Sequence, residues 1–131
     1  MRTEIHILAW SVLLGLTYLL AQVGAATMQR GAAWNRGNRA PSDAPLTGAA
    51  FRLDQAFRNF LETFPLFAAA VLTLAFTQKG STVTEVGAHL YFWARVLYLP
   101  IYGKGITGLR SLVWCVSLVG ILLVWSGIYF S

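Results

Sequence analysis

Four stretches of this chain, each of 20 residues or more, carry almost no charge, and that pattern limits the fold more than any other feature. A helix needs about 20 apolar residues to cross the hydrocarbon core of a bilayer. The stretches are Ile5–Met28, Ala56–Gln78, Val83–Tyr102 and Ser111–Ser131. They are too long for barrel strands, and only helices satisfy every backbone group in lipid without closing a sheet. The predicted fold is therefore an all-α integral membrane protein, a bundle of four transmembrane helices in a single domain spanning residues 1–131. Composition agrees: apolar residues make up 56% and charged residues 11% of the 131 positions. A soluble domain of this size could not bury so much apolar surface.

The first stretch is longer than the ~7–15 residues of a signal-peptide core and is read as a retained span. The net charge of +5 does not point to nucleic acid, since no binding module is present and the cations sit at span ends. Cys115 stands alone in an apolar run, so neither a disulfide framework nor a metal site is expected.

Between the spans, Gln29–Gln55 is a long polar segment with Gly31, Gly37, Pro41 and Pro45. It reads as an ordered loop or partly as helix extension. Lys79-Gly80-Ser81-Thr82 is a tight turn, and Gly103–Gly108 is short and glycine-rich. Arg30, Arg36, Arg39, Arg52 and Lys104 follow spans one and three, with Arg110 just inside span four, whereas Arg2 and Lys79 mark the other side. The positive-inside tendency puts both termini outside and the long loop in the cytoplasm.

Ionisable groups inside a span cost roughly 2.5–3.5 kcal/mol each on insertion scales, so each calls for a reason. Gln55, Arg58, Asn59 and Glu62 share one face of span two. Tyr91, Arg95, Tyr98 and Tyr102 form a stripe on span three, and Arg110 and Ser111 open span four, with Trp114 one turn on. The topology brings Arg58, Asn59, Glu62, Tyr98, Tyr102, Arg110 and Ser111 to one leaflet. Plainer roles stand beside a site: an intrahelical Arg58–Glu62 salt bridge, interfacial tyrosines at 98 and 102, and a snorkelling Arg110. Arg95 lies deeper and is expected to lock helices together by pairing with Glu62 or a carbonyl. His6, Glu85 and His89 lie toward the other end and receive no role.

The run from Phe57 to Pro65, with Arg95, Tyr98, Tyr102, Gly105, Ile106 and Leu109-Arg110-Ser111, resembles the MAPEG family in order and spacing. These are membrane-associated proteins of eicosanoid and glutathione metabolism, among them microsomal glutathione transferases and leukotriene and prostaglandin synthases. The likeness covers nearly the whole chain and is nearest to small bacterial members, which implies a bacterial inner membrane. It also implies a homotrimer with glutathione as co-substrate between neighbouring subunits and a lipophilic small molecule as second substrate. By that resemblance Arg58, Asn59, Glu62 and Tyr98, with Arg30 at the end of span one, hold glutathione. Arg110 then stabilises the thiolate, aided by Ser111 and Tyr102. Gln55 stands where several members have an arginine, and Trp114 where some have a tyrosine. The implied activity is a membrane-embedded transferase or peroxidase. The alternatives are a non-catalytic oligomeric scaffold and a small transporter, though span one lacks the carboxylate that small four-span exporters use.

Overall fold

The computed structural model describes residues 2–37 and 45–130. Arg39, Pro41 and Ser131, which figure in the loop and span assignments above, lie outside these residues. The chain forms α1 (Arg2–Arg30), the short α2 (Ala32–Arg36), α3 (Gly48–Phe76), α4 (Thr82–Gly103) and α5 (Thr107–Phe130). The four long helices match the four apolar stretches and form the expected membrane bundle. α3 starts eight residues ahead of the predicted span. The added segment Gly48–Gln55 is amphipathic, with Ala50 buried and Phe51 exposed, and simply continues the helix below the apolar run.

Three of the long helices, α1, α3 and α5, combine the length and the apolarity of a membrane crossing. α4 has 22 residues, roughly 33 Å at 1.5 Å per residue, and is long enough to cross as well. Its Glu85, His89 and Arg95 lower its apolarity. Large apolar side chains project from the outside of the bundle, among them Trp10, Leu20, Met28 and Phe76. That arrangement suits lipid and not water.

α4 packs most extensively on α5, and α1 on α3. The core divides into two clusters along the bundle. Near the chain termini, Ile7, Phe67, Val71, Leu74, Ala88, Tyr91 and Val124 pack together. At the loop end, Tyr18, Ala56, Phe60, Ala94, Tyr98 and Val113 form the second cluster. Stacked rings stiffen both: Phe67 on Tyr91 at 4.1 Å and Tyr18 on Phe60 at 4.7 Å.

The turns follow from local chemistry. Gly31 adopts φ +95°, a left-handed conformation that ends α1 at little steric cost, and its N–H bonds Thr27 O at 2.7 Å. Gln29 closes the loop beyond it, donating to Pro45 O at 3.0 Å and accepting from Thr47 N–H at 2.9 Å. Ser81 and Thr84 form a reciprocal capping box that starts α4. Lys79 Nζ donates to Ile128 O at 2.8 Å, satisfying a carbonyl at the end of α5.

Candidate functional site

A cavity of about 340 Å³ opens between α3, α4 and α5 at the loop end of the bundle. Gln55, Arg58, Asn59, Glu62, Tyr98, Tyr102, Arg110, Ser111 and Trp114 line it. Seven of the eight site residues named from sequence meet there, together with the two positions noted as departures. The eighth, Arg30, ends α1 and does not line this cavity in the single subunit.

Each helix brings its residues for a local reason. On α3 the polar groups recur at helical spacing along one stripe, opposite the buried Ala56, Phe60, Thr63 and Phe67. Tyr98 and Tyr102 are four residues apart on α4, and their rings meet edge to face at 5.4 Å. α5 enters through a turn in which Gly105 takes φ +77°. It packs beside Arg52, whose Nε donates to Gly103 O at 2.8 Å. This tether fixes the turn just ahead of Arg110. The Arg110 guanidinium lies over the Tyr102 ring, Cζ 4.6 Å from its centroid.

The charges are arranged differently from the salt bridge considered above. Arg58 pairs with Asp54 and not with Glu62, Nε to Oδ2 at 3.0 Å, one helical turn back. An i,i+4 pair runs along the helix axis, and Asp54 lies on the side to which the Arg58 stem turns. The Arg58 side chain is 69% exposed in the single subunit. Arg58 and Glu62 thus lie on the open side of the cavity, while Gln55 and Asn59 are half-buried. Glu62 forms no ion pair among the described residues, so its carboxylate remains open to a ligand cation. Asn59 Oδ1 is buried and has no hydrogen-bond partner.

Arg95 corrects another expectation. It is fully buried, but its guanidinium nitrogens pair with neither Glu62 nor a carbonyl. Tyr98, Phe60 and Tyr18 surround it instead. The geometric reason is that Glu62 stays on the exposed stripe of α3 while Phe60 turns inward between them.

The cavity offers two guanidinium groups, one carboxylate, amides and hydroxyls at the end of an otherwise apolar bundle. A profile of the MAPEG family matches residues 7–130, taking in all of these groups. The chain belongs to the MAPEG family. Membership places it among membrane proteins of eicosanoid and glutathione metabolism, and the MAPEG helices α3, α4 and α5 are those that build its cavity. No curated protein and no solved structure matches the chain.

A separate, apolar cavity of about 490 Å³ lies between α3 and α5 further along the bundle. Leu66, Ala69, Ala70, Thr73, Leu122, Trp125 and Tyr129 are among its lining residues. Sequence reading missed it, although the small residues Ala69, Ala70 and Thr73 on the same flank of α3 were a readable sign.

Proposed function

We propose that this MAPEG subunit belongs to a glutathione-dependent transferase or peroxidase acting on lipophilic electrophiles or hydroperoxides. The single observation that carries the reading is the meeting of Arg58, Asn59, Glu62, Tyr98, Tyr102, Arg110 and Ser111 around one cavity. The donor set suits the tripeptide. Glu62 faces its ammonium group, Arg58 a carboxylate, and Asn59 and Tyr98 its amide groups, while Arg110 with Ser111 and Tyr102 faces the sulfur. Gln55 supplies an amide in place of a further cation, which predicts weaker binding than in relatives with arginine there.

A free thiol has a pKa near 8.5, and lowering it by about two units takes ~2.7 kcal/mol of selective interaction with the anion. A guanidinium at short range in a poorly hydrated site supplies that. In transfer, the thiol proton leaves to solvent, the thiolate forms a carbon–sulfur bond with the electrophile, and the leaving group departs with its electron pair. In peroxide reduction, two thiols provide two electrons and become a disulfide, while the hydroperoxide yields an alcohol and water. The separate apolar cavity between α3 and α5 suits a lipophilic partner arriving from the bilayer.

A homotrimer fits the exposed side of α3. Phe51, Gln55, Arg58, Glu62, Pro65, Ala69, Leu72 and Phe76 recur at alternating steps of four and three, the repeat of a helix–helix seam. All but Gln55 are exposed in the single subunit. Their polar half coincides with the cavity, so a neighbouring subunit completes the site and brings its own basic residues, Arg30 among them.

Calorimetry with glutathione on the detergent-solubilised protein tests the reading, with light scattering giving the subunit number. Wild type is expected to bind at millimolar ligand or below, and Arg58→Ala about tenfold more weakly, the scale of one charge-assisted hydrogen bond. No heat from wild type removes the glutathione assignment. Conjugation of an aryl halide tests the thiolate partner: Arg110→Ala is expected to lose 10²-fold or more in kcat, on the order of one oxyanion-stabilising donor. Equal rates would show that another group holds the sulfur.

A further inference from the structure

Arg95 is the largest fully buried side chain among the described residues, and neither Nε nor either Nη has a hydrogen-bond partner there. Buried polar groups are rarely left unpaired, and an uncompensated charge is the costliest kind. Guanidinium groups do not shed their proton in proteins, so neutralisation is no escape. Rings take the place of acids around it. Cζ lies 4.2 Å from the Tyr98 centroid, 5.8 Å from Phe60 and 5.9 Å from Tyr18. The Tyr18 hydroxyl donates to the Arg95 carbonyl at 2.5 Å, so the cation is met by rings and a phenol oxygen and by no acid. The Thr63 and Tyr91 hydroxyls bond each other at 3.1 Å.

From this buried point a row of groups leads to the cavity. The Tyr98 ring touches Arg95 on one side and meets Tyr102 at 5.4 Å, and Tyr102 carries Arg110 at 4.6 Å. One aromatic ring thus separates an unpaired cation from the cavity wall. A charge acts further in a poorly polarisable interior than in water, and no described acid forms an ion pair with Arg95.

We propose that Arg95 is a buried cation without an acid partner whose field, acting across the Tyr98 ring, favours anions in the cavity. It is a positioning residue: it holds the Tyr98–Tyr102 row and lends positive potential without touching the ligand. The proposal rests on the reading of the cavity as a thiolate site and deepens it, but its test uses no glutathione. A failed glutathione titration therefore leaves the test intact.

The probe is a thiol built into the wall by Asn59→Cys, with the exposed Cys115 changed to serine. Alkylation by iodoacetamide is followed against pH in detergent. The groups facing that thiol are Arg58 and Glu62 of α3, Tyr98 and Tyr102 of α4 and Arg110 of α5, all unchanged when Arg95 is varied. Arg95→Met is expected to raise the midpoint by about one pH unit, a tenfold loss of thiolate at a fixed lower pH. Arg95→Lys, which keeps the charge, is expected to stay within roughly a third of a unit. An unmoved midpoint in Arg95→Met overturns the proposal, and so does a lysine variant that shifts as far as methionine. If Arg95→Met does not fold, the reporter is read in Arg58→Gln, Arg110→Met protein. A midpoint still below the ordinary ~8.5 supports Arg95 as the remaining cation, and one at or above it overturns the proposal.

Discussion

Glu4 is fully buried near the chain terminus, and Thr84 Oγ1 donates to its Oε2 at 2.6 Å, joining α1 to α4 across 80 residues of sequence. The same Thr84 oxygen accepts the Ser81 N–H at 2.9 Å, so one hydroxyl serves the capping box and the buried acid together. Thr84→Val keeps the shape and removes the donor. The variant is expected to lose roughly 0.5–1.5 kcal/mol of stability, the scale of one hydrogen bond, and Thr84→Ser to recover most of it. Thermal unfolding in detergent measures both. In the sequence Glu4 simply precedes the first apolar run. Its partner lies on another helix, and nothing local announces it. Arg58 shows the same limit in reverse: Asp54 and Glu62 sit at equal helical spacing from it, and side-chain direction chose Asp54.

At the scale of elements, close approach at small residues joins α4 to α5. A Cβ added to Gly120 would lie 2.6 Å from Gly87 O and 2.7 Å from Tyr91 N, and one on Gly87 would lie 2.8 Å from Gly120 O. Association in lipid has no hydrophobic drive and relies on such backbone proximity. Gly120→Val therefore forces the helices apart where Tyr91 and Val124 complete the core. The expected loss is at least the roughly 1–3 kcal/mol of overpacking, because the atoms met are backbone and cannot turn aside. A lowered melting temperature and reduced yield of folded protein would show it; an unchanged melt would mean that the crossing can slide. The helices themselves were legible as apolar runs. Their pairing was not, since glycine at 87 or 120 looks no different in sequence from glycine at a tolerant site such as Gly24.

At the scale of the whole molecule, the up-and-down order puts Arg30, Arg52 and Lys104 at the cavity end and Lys79, with the start of α1 and the end of α5, at the other. We propose that the cavity end faces the cytoplasm, because Arg30, Arg36, Arg52 and Lys104 lie at that end of the helices. Lys79→Cys is expected to react with an impermeant maleimide on intact cells, and Lys104→Cys only after permeabilisation, both in a Cys115→Ser background. The reverse pattern would invert the orientation.

Four long apolar runs, the charge bias of the loops and the grouping of polar residues at one level were all determined by the sequence alone. They follow from one-dimensional rules, the thickness of a bilayer and the periodicity of a helix. Only the tertiary structure decided which neighbours those polar groups meet: Arg58 on Asp54, Glu4 under Thr84, and Arg95 among rings with no acid in reach. Such contacts depend on how the helices rotate and cross, which is set by packing between distant residues and leaves no mark along the chain.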